Sequence, residues 1–239
     1  MIPISDDNPS LRAPIVNWAI IAICVAVYAW QLTIGEDATD VMSYRFGLIP
    51  TALLHGREQL PSDIVAQIGA TEWPPATLVT SMFLHGGFLH LAGNMLYLWI
   101  FGNNVEDALG HVRYLFFYLV CGVAAALSHA LIEPSSAIPM LGASGAISGV
   151  LAGYVLIFPR ARITVIIPLG ILLYPFKISA VFVVGFWFLL QLLAALLSDA
   201  NAPGVAFWAH VGGFGAGLLL APVLSRLPMF GRHRPGPWG

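Results

Sequence analysis

Six stretches of this chain, residues 13–32, 88–104, 112–132, 143–158, 178–198 and 206–225, are almost wholly apolar and hold no Asp or Glu. A helix crossing a bilayer needs about 20 such residues, with a range of roughly 17–25. In lipid the backbone must satisfy its own hydrogen bonds, and a helix does so within one segment. The pattern therefore predicts an all-α integral membrane protein, a bundle of six transmembrane helices. Composition agrees, since 58% of the residues are hydrophobic and 9% are charged, against about 25% charged in soluble domains. Twenty-two charged residues among 239 are too few to cover a water-soluble fold of this size. A net charge of −2 argues against nucleic acid as a partner, because phosphate binding needs a basic face. Cys24 and Cys121 both fall in apolar runs, where a thiol acts as a small hydrophobe, so no disulfide framework is expected.

The basic residues give the expected orientation, since loops on the cytoplasmic side carry an excess of Lys and Arg. With the N-terminus inside, the inner segments hold Arg12, Arg113, Arg160, Arg162, Lys177, Arg226, Arg232 and Arg234, and the outer ones only Arg45 and Arg57. The expected organisation is a cytoplasmic tail over 1–12, a membrane domain over 13–225 with both ends inside, and a short basic cytoplasmic tail over 226–239. No basic cluster precedes the first apolar run, so the first helix is expected to be retained rather than cleaved as a leader. The longest outer loop covers about 33–87. Residues 163–176 are apolar but interrupted by Pro168, Gly170 and Pro175. They are expected to form a membrane-surface or re-entrant loop rather than a seventh, broken helix.

Polar side chains within membrane spans are costly and mark function. Here they are His90 and Asn94 in the second run, His129 in the third, Ser144 and Ser148 in the fourth, Gln191 in the fifth and His210 in the sixth. In this topology the second, fourth and sixth helices all descend from the outer face. His90, Ser144 and His210 lie within about the first five residues of their helices, so at 1.5 Å per residue they share one layer. Small residues recur every four positions as Gly145, Gly149 and Gly153 in the fourth helix and as Ala209, Gly213 and Gly217 in the sixth. Such stripes let membrane helices pack closely, which would bring Ser144 and His210 together. Ordinary helix packing alone would account for either stripe.

A serine hydroxyl becomes a useful nucleophile when a histidine takes its proton. With no carboxylate at this depth, the residues suggest a Ser144–His210 dyad. Amide hydrolysis also needs donors for the tetrahedral oxyanion. His90 and Asn94 are four apart and share a helix face, and the Ser144 backbone N–H opens its helix. These three are the candidate oxyanion donors, though each side chain could equally serve as an interhelical contact.

These residues lie in three motifs: Gly142-Ala143-Ser144-Gly145, then Ala209-His210-Val211-Gly212-Gly213-Phe214-Gly215-Ala216-Gly217, and His90-Leu91-Ala92-Gly93-Asn94. Together they resemble the rhomboid family of intramembrane serine proteases over roughly residues 13–225. The resemblance implies Ser144 as nucleophile, His210 as general base, and His90, Asn94 and the Ser144 amide as oxyanion stabilisers. Gly142 and Gly145 adjoin the site. It also implies that His85 is site-adjacent or binds water, and that Glu106 is a structural inner-loop glutamate. Expected partners are the bilayer and single-span transmembrane proteins entering from the lipid near the fifth helix, cut near helix-destabilising segments; the resemblance leaves oligomeric state open. No cofactor and no metal are expected.

Two departures stand out. Many members carry Trp-Arg where this chain has Ala76-Thr77, and some have a tyrosine against the catalytic histidine where this chain has Ser148. The short form suggests a bacterial inner membrane with the site facing the periplasm or exterior. Competing readings are a silent relative that only binds membrane helices, a proton-relaying transporter, and a metal site using His85, His90 and His210. The first loses its Ser or His, and both are kept here. The second needs polar groups on through the inner half of the bundle.

Overall fold

The computed structural model describes residues 2–68, 74–169, 172–198 and 204–226. A strand β1 (Ile2–Asp6) precedes helix α1 (Ile15–Ile34). Three short helices follow, α2 (Glu36–Phe46), α3 (Pro50–His55) and α4 (Ser62–Ile68), and a turn at Pro74–Ala76 leads into α5 (Thr77–Thr80). Helix α6 (Phe88–Tyr97) passes through a π turn at Leu98–Gly102 into α7 (Asn103–Leu109). Next come α8 (His111–Ile132), α9 (Ser144–Ile157), a hairpin of β2 (Arg162–Leu169) and β3 (Leu172–Ser179), then α10 (Ala180–Leu197) and α11 (Phe207–Arg226). Among the described residues α1, α8, α10 and α11 are long and apolar enough to cross a membrane, and α9 is a shorter apolar helix. The helix expected over 88–104 is instead α6 and α7 joined by the π turn, and it runs on to Leu109. The expected tail beyond 226 lies outside the described residues.

Helix α9 sits at the centre, with every residue from Gly145 to Tyr154 buried. Its glycines are what let its neighbours close on it. A Cβ on Gly149 would lie 2.5 Å from Cys121 Cβ of α8 and 3.0 Å from the Gly213 carbonyl oxygen of α11. One on Gly145 would lie 2.6 Å from Ala125 Cβ, and one on Gly153 3.1 Å from Phe117 Cζ. From the other side, Gly213 and Gly217 of α11 stack on the carbonyl oxygens of Gly145 and Gly149.

The segment 163–176 corrects the expectation of a loop. It forms the antiparallel hairpin β2–β3, and β1 pairs with β2 to complete a sheet in the order β1-β2-β3. Residues 2–6, expected in a tail, are therefore an edge strand. Proline is tolerated in sheets where no ladder hydrogen bond is asked of its nitrogen, chiefly on edge strands. Pro175 lies on the edge strand β3, and Pro168 lies beyond the Ile163–Ile166 stretch of β2 that meets β1. Ile163 and Val165 alternate inward and are fully buried against the helix core.

Polar contacts tie this end of the bundle together. The buried Glu106 carboxylate of α7 accepts the backbone N–H groups of Val16 and Asn17 at 3.0 and 2.7 Å, filling two of the orphan donors that open α1. Its Oε1 also lies 2.5 Å from His111 Nδ1. Asn17 Nδ2 donates to the Leu98 carbonyl in the π turn at 2.9 Å, and Tyr114 donates to Asn17 Oδ1 at 2.8 Å. Tyr154, near the end of α9, donates to Asp6 Oδ2 at 2.6 Å.

Burial raises the Asp6 carboxyl from its ordinary 3.8 to about 6, against the lowering effect of the Tyr154 hydrogen bond. A raised folded value means that the native state binds the extra proton. Its stabilising contribution is complete below about pH 4 and is lost as pH rises through about 6. Asp6→Asn is therefore expected to raise the unfolding midpoint in detergent at pH 7.5 by about 2–6 °C, and to flatten its fall between pH 4 and 6. Parallel midpoint-versus-pH curves for the two proteins would contradict this.

The other end gathers residues 35–68 and 74–87 and the α8–α9 connection. Leu48 and Met140 exchange backbone hydrogen bonds of 3.0 and 2.7 Å, and the Thr80 hydroxyl donates to the Phe46 carbonyl at 2.6 Å. Thr77 is buried and donates to the Pro74 carbonyl at 2.5 Å. These bonds hold the loop on either side of Ala76-Thr77.

Candidate active site

Ser144 is the first residue of α9, so its backbone N–H has no partner within the helix. Before it, Gly142 takes φ +117°, a conformation that favours glycine. A Cβ there would come within 2.7 Å of the His90 ring and 3.6 Å of Asn94 Nδ2. Gly142 N–H donates to the Ser81 carbonyl at 2.8 Å, which holds the turn into α9 against the outer loop. The missing Cβ at Gly142 thus makes room for His90 and Asn94 of α6 at the head of α9.

His210 lies in the first turn of α11 and is 6% exposed. Its Nε2 is 2.7 Å from Ser144 Oγ. The close approach of α9 and α11 along their glycines sets this distance. On the other side of the ring, Nδ1 is 2.7 Å from Gln191 Oε1 of α10. Trp187, one turn earlier on α10, has its ring centre 5.9 Å from that of His210, and Phe207 lies 6.3 Å away edge-on. Ser148 turns away, donating to the Ser144 carbonyl at 2.7 Å.

Asn94 is buried, and its Nδ2 has no hydrogen-bond partner among the described residues. An unpaired buried donor costs about 1–3 kcal/mol, a cost expected where a donor is kept for a transient acceptor. A cavity of about 770 Å³ opens at the head of α9, lined among others by His90, Gly142, Ser144, Met140, Phe88 and Ala206. His85 is buried beside His90, with ring centres 5.3 Å apart, and its backbone N–H and carbonyl are both bonded to the Gln31 side chain. Burial above all, with His90 alongside, pushes its pKa down to about 4, so it is neutral.

The candidates Ser144, His210, His90, Asn94, His85, Gly142 and Gly145 thus meet at one end of the bundle. His129 of α8 faces Glu133, its Nδ1 3.7 Å from Oε2. His210 has both ring nitrogens engaged, by Ser144 and Gln191. Sequence reasoning missed Trp187 and Phe207 and gave Gln191 no role. Gln191 and Trp187 are four apart and so share a face of α10, a signal that names a face without naming what it meets.

A rhomboid domain matches residues 72–227. This chain belongs to the rhomboid family. It is 33% identical over 162 residues to RHOMBOID-like protein 4 of Arabidopsis thaliana, covering 67% of this chain and 37% of that one. The mitochondrial Rhomboid protein 1 of Saccharomyces cerevisiae is 34% identical over 163 residues, 63% of this chain and 42% of its own. Rhomboid protease GluP of Bacillus subtilis is 31% identical over 174 residues, 66% of this chain and 32% of its own. The chain thus covers less than half the length of these curated relatives. As a rhomboid protein with membrane-spanning helices, it is an integral membrane protein.

Proposed function

We propose that this rhomboid protein is an intramembrane serine endopeptidase that cuts single-span transmembrane substrates with Ser144 and His210. The observation that carries the reading is the 2.7 Å Ser144–His210 contact beside a cavity that also meets His90. In this reading six helical passes, with α6–α7 as the second, leave both chain ends in the cytoplasm. The site then opens toward the outer face, which in a bacterial inner membrane is the periplasm.

Ser144 Oγ–H donates to His210 Nε2, and Oγ attacks the scissile carbonyl as the proton moves to the imidazole. The oxyanion is received by Asn94 Nδ2, the Ser144 backbone N–H and the His90 ring, which lie around Gly142. The imidazolium returns its proton to the leaving amine, leaving an ester on Ser144. Water, deprotonated by His210, hydrolyses that ester and restores the hydroxyl. The residues suffice for this without a cofactor.

Fluorophosphonates phosphonylate activated serines, with loss of fluoride, whatever the natural substrate. The solubilised protein is expected to be labelled on the peptide containing Ser144, with no labelling once the protein is heat-unfolded. An unlabelled but folded protein would move the reading to a silent relative that only binds membrane helices.

A further inference from the structure

We infer that Gln191 is a positioning residue that completes a Ser144–His210–Gln191 relay by fixing the tautomer of the catalytic imidazole; this rests on the protease reading above. A neutral imidazole carries one N–H, and its partners decide which nitrogen holds it. Gln191 Oε1 is an acceptor with no proton to give, and it lies 2.7 Å from Nδ1. It therefore places the ring proton on Nδ1. The lone pair is left on Nε2, which faces Ser144 Oγ at 2.7 Å. The opposite tautomer would aim an N–H at the serine and could take no proton from it.

An amide suits this place better than a carboxylate. A carboxylate within a membrane bundle carries a heavy desolvation cost, whereas the amide oxygen offers a dipole that steadies the transient imidazolium and adds no net charge. The surrounding geometry supports the assignment. Trp187, one turn before Gln191, lies against the His210 ring, and Phe207 meets it edge-on. Helix α10 thus supplies both a wall for the imidazole and its proton acceptor, while α9 supplies the nucleophile and α11 the base.

The test compares wild type with Gln191→Leu, which keeps the bulk without the acceptor, and Gln191→Glu, which keeps the acceptor and adds charge. The first readout is the nitrogen NMR spectrum of ¹⁵N-histidine-labelled protein in detergent micelles, with the His210 signals assigned from His210→Ala. Wild type is expected to show a protonated Nδ1 and a bare Nε2, and Gln191→Leu to lose that bias. The second is the rate of fluorophosphonate labelling against pH. Gln191→Leu is expected to fall by about 10²–10⁴-fold, the scale of a misplaced tautomer. Gln191→Glu is expected to keep much of the plateau rate while the acid limb of its profile moves to higher pH. A packing role alone would leave that limb in place. The inference is overturned if Gln191→Leu keeps the wild-type tautomer or the wild-type labelling rate. The NMR arm decides even if no protein is labelled, an outcome that would sink the protease reading instead.

Discussion

Ser144→Ala, His210→Ala and the double variant are expected to reduce cleavage of a membrane-anchored substrate to one common floor, about 10⁴–10⁶-fold below wild type. Residues that act as a unit fail together, so either loss removes nearly all that both provide. At about 1.4 kcal/mol per tenfold change, this is roughly 5–8 kcal/mol of transition-state stabilisation. Asn94→Ala is expected to behave differently. It removes one donor from the oxyanion while leaving Ser144 and His210 in contact, so kcat should fall about 10²–10³-fold with KM nearly unchanged. Its labelling by fluorophosphonate should slow as well, since the tetrahedral adduct uses the same donors. Steady-state rates in proteoliposomes, with the double variant beside both singles, separate the cases. Losses from Ser144→Ala and His210→Ala that multiply in the double variant would mean independent contributions, and would count against a shared proton transfer.

The parts of this design that were legible in the sequence are those written in local pattern. Apolar runs marked the helices, and α1, α8, α9, α10 and α11 begin within two residues of their expected starts. Ser144, His210 and His90 could be named together because helix direction put them in one layer, glycine spacing suggested contact between the helices of Ser144 and His210, and Asn94 shares a helix face with His90. What was missed depends on partners distant in sequence. The hairpin over Arg162–Ser179 was hidden because Pro168 and Pro175 argue against a strand until its edges are known, and the strand that pairs with β2 lies at Ile2–Asp6. Likewise nothing in the run around Gln191 says that its amide meets an imidazole on the next helix. Glu106 shows the same limit, since its role is to accept N–H groups from Val16 and Asn17, some 90 residues earlier. Periodicity reports which face of a helix is special, and only the tertiary structure reports what that face touches.

The contact between α9 and α11 gives the second large prediction. A Cβ on Gly213 would press into the Gly145 carbonyl oxygen and stand 2.9 Å from its carbonyl carbon and 3.3 Å from Ala125 Cβ. The first two obstacles are backbone, which cannot turn aside as a side chain can. Relief requires α11 to move away from α9, and His210 is three residues before Gly213 on the same helix. Overpacking of this kind costs about 1–3 kcal/mol for a small group and more for a large one. Gly213→Ala is expected to lower the unfolding midpoint in detergent by several degrees and to lose most fluorophosphonate labelling, because the 2.7 Å Ser144–His210 contact opens. Gly213→Leu is expected not to fold. Gly215, two residues on, has nothing within 4 Å of its Cβ position. Gly215→Ala should therefore label at the wild-type rate with a midpoint equal or slightly higher, since alanine favours the helix by about 1 kcal/mol. Equal behaviour of Gly213→Ala and Gly215→Ala would show that helix propensity governs these positions, and would remove close packing as the reason the base reaches the serine.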